Sequence, residues 1–207
     1  MDEYGIFGAF IILAFAKTAF GYIEKEIPGI DLPSYKKSVI SEYKAIVIAV
    51  RNGLLPETDR IKNVAADLND LSWFDHIPAE NGVCFLAAGV FYYFKTEDIK
   101  KLFTAMEKRF PGGRLVFDAA NKRAVKIMLK TWVKDAGITS IADYFSVEDI
   151  KTDVMPWMKN SAVTSRGYML GYNDLKDPSV PGAFRLLAKI ADGFMKMQIV
   201  KIEFKEA

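Results

Sequence analysis

Apolar positions along the chain change period several times, and each change marks an element. Between Tyr35 and Arg51, the residues Val39, Ile40, Tyr43, Val47 and Val50 recur at helical spacing. Gly53 and Pro56 in "NGLLPETDR" end that pattern. "IKNVAADL" then predicts a short strand, and "GVCFLAAGV" a longer one that is apolar throughout. A strand apolar on both faces belongs in the middle of a sheet covered on both sides.

The next helix is well signalled. Thr96 can cap it, Glu97 and Asp98 suit its positive end, and Lys108 and Arg109 its negative end. Ile99, Leu102, Phe103, Met106 and Phe110 form its apolar stripe, and "PGG" at 111–113 stops it. "RLVFDAA" predicts another strand. Val125, Met128, Leu129, Trp132, Val133 and Ala136 then stripe a second helix, with Gly137 as its cap.

Near the end, "SRGYMLGY" predicts a strand, "GAFRLLAKIADGFMK" a helix and "MQIVKIEFK" a closing strand. In that last strand Gln198, Val200, Ile202 and Phe204 share a face, as in a strand with one solvated side. The rhythm is that of an α/β fold, a mostly parallel sheet with helices on both faces and an antiparallel edge strand. It predicts a single domain over 1–207, with a helical lid or cap in 1–52 and the sheet core in 53–207.

Composition adds little to this picture and removes several alternatives. The 207 residues are 51% hydrophobic and 26% charged, as in an ordinary globular protein. Net charge is +2 and the lysines are spread out, so no nucleic-acid-binding stripe is present. The single cysteine, Cys84, allows no internal disulfide and suggests a reducing, cytoplasmic setting. "GIFGAFIILAFAKTAF" is too short for a membrane span, Lys17 interrupts it, and acidic Asp2 and Glu3 do not suit a secretory signal. It is expected to be a buried or capping helix, serving as a lid over an acceptor pocket, as a cover for an exposed sheet edge, or as a homodimer contact. No metal-ligand spacing and no nucleophile motif stand out. The lone histidine, His76, falls in the surface-like "WFDHIP", and Met128, Trp132 and Met195 sit on helical stripes and are most simply core.

Ligands of open α/β sheets sit beyond the carboxyl ends of the strands. That rule selects Asp67 with Leu68, Ala88-Gly89 with Tyr92 and Tyr93, and Asp118. Each of them, taken alone, is equally well explained as a residue that only ends a strand.

"ETDRIKNVAADLNDLSWFDHI", followed by "VCFLAAGVFYYFKTEDIKKLFTAMEKRFPGGRLVFDAAN", resembles the leucine carboxyl methyltransferase family. That family includes polyketide O-methyltransferases of the tetracenomycin-synthesis type. "RGYMLGYNDLKDPSVPGAFRLLAKIADGFMKMQIVKIEF" resembles its last strand-helix-strand unit, so the likeness runs over about residues 35–207. The resemblance implies a Rossmann-like class I methyltransferase sheet that binds S-adenosylmethionine and methylates a small-molecule carboxylate or hydroxyl.

On that resemblance, Asp67 and Leu68 meet the adenine end of the cofactor, and Ala88 and Gly89 its methionine part. Arg51 meets its carboxylate, and Tyr93 matches the family's tyrosine. Tyr92 and Tyr93 are candidates to face the sulfonium. Two features depart from the family. Ala88 stands where an acidic residue is usual, and the glycine-rich loop with its acidic strand end has no counterpart; "GIFGAF" follows no strand, and a register using Asp31 leaves too many residues before "LLPETDR". Two functions therefore stay open, a small-molecule O-methyltransferase and a catalytically degenerate relative that serves as a binding or assembly module.

Overall fold

The structure is a computed structural model, and it describes residues 48–49, 51–54, 56–58, 61–64, 66–80, 82–132, 144–171 and 175–206. The apolar segment 5–20, most of the 35–51 pattern, and Val133, Ala136 and Gly137 lie outside the described residues. Residues 51–54 are helical, and the described part of "IKNVAADL" forms no strand. A 3-10 turn follows at Leu71–His76, capped by Asp70, whose carboxylate accepts the Ser72 N–H.

Four strands form one open sheet: β1 (Cys84–Ala87), β2 (Arg114–Ala119), β3 (Ser161–Gly167) and β4 (Gln198–Phe204). Their spatial order is β1-β2-β4-β3. β1 and β2 are parallel, and β4 is antiparallel to both β2 and β3. Three strands therefore run one way and β4 the other. The antiparallel strand expected at the edge lies inside the sheet, with β3 beyond it. β3 runs in the same sense as β2 and joins the sheet only through β4, an order that local hydrophobic patterns do not record.

α1 (Thr96–Arg109) joins β1 to β2, and α2 (Lys122–Trp132) follows β2. Ile99, Leu102, Phe103, Met106 and Phe110 are all buried, as their spacing predicts. Lys95, rather than Thr96, occupies the N-cap, and no side chain bonds the helix start there. A short α3 (Ile150–Asp153) precedes β3. α4 (Gly182–Lys189) runs into a π-helical turn at Ile190–Phe194 and completes a strand-helix-strand unit with β3 and β4. β3 ends at Gly167, short of the expected "SRGYMLGY", because a turn begins at Tyr168.

The register gives the sheet two unlike faces. Phe85, Leu115, Ile202 and Val163 lie in one row across the four strands, and this face carries the main core. Phe91, Phe103, Phe117 and Phe145 pack there with ring centroids 5.1–6.2 Å apart. Gly113 closes the end of β2. A Cβ there would lie 2.8 Å from Val83 Cγ1 and 2.9 Å from the Phe110 carbonyl, so any larger residue must displace backbone.

The other face carries the row Leu86, Val116, Lys201 and Thr164. Leu86 is 58% exposed. β1 was expected at the centre of a doubly covered sheet; among the described residues it stands at the end of the sheet with one solvated side. No helix of the described residues is long and apolar enough to cross a membrane.

Candidate functional site

The carboxyl ends of β1 and β2 lie side by side, and the chain reverses sharply at the end of β1. Gly89 makes the reversal with φ +66°, a conformation that costs other residues strain. A Cβ there would meet nothing within 4 Å, so the turn borders open space. A 3-10 turn at Phe91–Tyr93 then sends successive rings to different places. Phe91 enters the main core, while Tyr92 joins a second cluster with Ala120, Ala124, Val125 and Tyr144.

Asp118 ties these pieces together. The Gly89 N–H donates to its Oδ1 at 2.6 Å, and the Tyr92 hydroxyl donates to its Oδ2 at 2.9 Å. Burial, and then the adjoining Asp118 carboxylate, push the Tyr92 phenol well above the usual tyrosine range. Tyr92 thus keeps its proton, and that proton is committed to Asp118. Tyr93 is half-buried and packs against both clusters.

The remaining sequence-selected residues are distributed around this turn. Asp67 accepts the Asn69 N–H at 3.0 Å, and its carbonyl accepts the Asp70 N–H, so it shapes the turn ahead of the 3-10 helix. Leu68 lines a crevice beside β1 with Trp73, Val83, Phe85, Ala87 and Val90, which brings it next to the Ala88-Gly89 turn. The enclosed space of that crevice is about 40 Å³, room for a solvent molecule or two rather than a cofactor. Arg51 is drawn elsewhere: its Nε donates to Asn63 Oδ1 at 2.6 Å, and Asn63 in turn donates to Asn52. His76 is exposed in the last turn of its 3-10 helix.

A second arrangement at the same end of the sheet escaped the sequence reading. Asn121, buried between β2 and α2, accepts the Ala124 N–H at 3.0 Å and donates from its amide to the Phe194 carbonyl at 2.9 Å. It therefore caps α2 and pins the π-helical turn against it. An asparagine directly before a helical stripe is an N-cap signal, and that much was legible. Asp192 does similar work nearby, accepting the N–H groups of Met169 and Leu170 in the turn after β3.

Among the described residues, no group of three or more His, Cys, Asp or Glu side chains is arranged to hold a metal ion. No protein-family model matches the chain, and no curated protein matches it.

Proposed function

We propose that this chain is an S-adenosylmethionine-dependent O-methyltransferase, of the leucine carboxyl methyltransferase type, acting on a small-molecule carboxylate or hydroxyl. The observation that carries the reading is the Ala88-Gly89 turn. It is open on its outer side and anchored through Gly89 to Asp118 at the adjoining strand end. Open α/β sheets take their ligands at that end. The β3-α4-β4 unit supports it further, as the ending that the sequence resemblance anticipates. On this reading the sheet is the later part of a Rossmann-like arrangement.

The residues fit the cofactor in part. Ala88 and Gly89 would border its methionine portion, and Asp67 and Leu68 its adenosine. When bound, the sulfonium supplies the methyl group for an in-line displacement. The chain's own contribution is alignment and exclusion of water. Tyr93 is the better placed of the two tyrosines to meet a cation with its ring, an interaction worth about 0.5–2 kcal/mol. Tyr92 acts as a positioning residue, holding Asp118 and through it the turn. A carboxylate acceptor needs no general base, which suits a site whose phenol stays protonated.

A second reading, a degenerate methyltransferase-fold binding or assembly module, is favoured by two observations. Ala88 replaces the family's acidic anchor, and Asp118 already spends one oxygen on Gly89 and the other on Tyr92. Calorimetric titration with S-adenosylhomocysteine, on wild type and Asp67→Ala, separates the two. The enzyme reading expects micromolar binding that the substitution abolishes. A folded protein that shows no heat of binding leaves only the module.

A further inference from the structure

A cleft beside the first turn of α2, just beyond the carboxyl end of β2, has no part in the scheme above. Its volume is about 580 Å³, inside the roughly 300–1,000 Å³ range of small-ligand sites. Lys122, Arg123, Lys126 and Lys196 line it, against a single carboxylate, that of Glu148. Scattered surface lysines are usually a solvated face, but here four cations converge on a concavity. They also come from two separate elements, α2 and the segment after α4.

The rim is held in place rather than left to chance. Asn121 fixes both sides, through its amide to the Phe194 carbonyl and through its backbone N–H to the Met195 carbonyl. The Arg123 guanidinium lies 5.3 Å from the centre of the Phe194 ring. Lys196 adopts φ +48°, unusual for a residue with a side chain, and its ammonium sits 3.1 Å from Glu148. Lys122 and Lys126 stand one helical turn apart on the exposed side of α2, and no carboxylate among the described residues forms an ion pair with either.

We propose that this cleft binds a phosphate-bearing small molecule. A phosphate carries up to two negative charges and three strong acceptor oxygens, which matches several cations better than one carboxylate would. Lys122 and Lys126 supply the main attraction, Arg123 a planar fork of donors, and Lys196 the opposite wall. The site does not depend on methyl transfer and stands if that reading fails.

Inorganic pyrophosphate is the probe, titrated calorimetrically into the full chain. Saturable binding is expected, weakened about tenfold or more in Lys122→Gln/Lys126→Gln. The control pair Lys100→Gln/Lys101→Gln, on the exposed side of α1, is expected to bind as wild type does. Unchanged far-ultraviolet circular dichroism confirms that each variant is folded. The proposal is overturned if wild type shows no saturable heat, if both pairs lose affinity equally, or if citrate binds as tightly as pyrophosphate.

Discussion

β1 and β4 are neighbours but one in the same sheet, yet they solve the problem of a half-covered surface differently. β4 alternates: Val200, Ile202 and Phe204 are buried in the core, while Lys201 and Glu203 on the other side pair with each other and with Arg114. β1 alternates in burial but not in chemistry, since its outward residues are not charged. Phe85 and Ala87 pack on the core, and Leu86 on the other side stands exposed. Charged residues on β4 make its solvated side self-sufficient. The apolar outer side of β1 gives no such protection, at a strand whose outer edge pairs with no strand among the described residues.

The core face that β1 and β4 share carries the largest expected effect. Phe117→Ala removes a fully buried ring from the face that both strands share, and chemical denaturation is expected to show a loss of about 3–5 kcal/mol. Asp118→Ala comes next. It strips the acceptor from the buried Tyr92 hydroxyl and from Gly89, at about 1–3 kcal/mol. Asp118→Asn is expected to recover part of that, because its carbonyl oxygen still accepts one bond. Asn121→Ala should cost about 1–2 kcal/mol as a lost cap that also frees the π-helical turn.

Leu86→Ser sharpens the contrast at the small end. A solvated side chain predicts a change within about 0.5 kcal/mol, and a loss several times larger would show that this side of β1 is covered. Acid adds a weaker effect. Burial raises the Asp153 pKa, but hydrogen bonds from the Asp149 and Glu148 N–H groups and the Thr152 hydroxyl, with Lys196 nearby, outweigh it and hold the carboxyl below its usual range. Its stabilising share is therefore present above the ordinary aspartate pKa and fades as pH falls through the lower folded value. Asp153→Asn should flatten the acid limb of a thermal-melting profile below about pH 4.

Much of the fold was legible because period and packing agree. The α1 stripe from Ile99 to Phe110 and the alternation of β4 are local patterns, and the structure buries the residues they select. What the sequence could not carry is pairing. Whether β4 sits inside or outside β3 depends on contacts between strands more than thirty residues apart. The apolar run at β1 spoke for a covered strand, but apolarity records what a residue tolerates, not what lies over it.

The site divides in the same way. Gly89 and Asp118 were recognisable as strand ends, but their bond spans 29 residues and has no sequence signature. Tyr92 and Tyr93 look alike in the sequence. A short 3-10 turn commits the first to Asp118 and leaves the second half-exposed.

The most direct test of the functional account is a ¹⁵N–¹H correlation spectrum of the labelled protein, recorded through a titration with S-adenosylhomocysteine. The account predicts saturable shifts at the Ala88, Gly89 and Asp67–Asn69 amides, with Lys122 and Lys126 unmoved. Spectra that stay unchanged at those amides to millimolar ligand, from a folded protein, would contradict it.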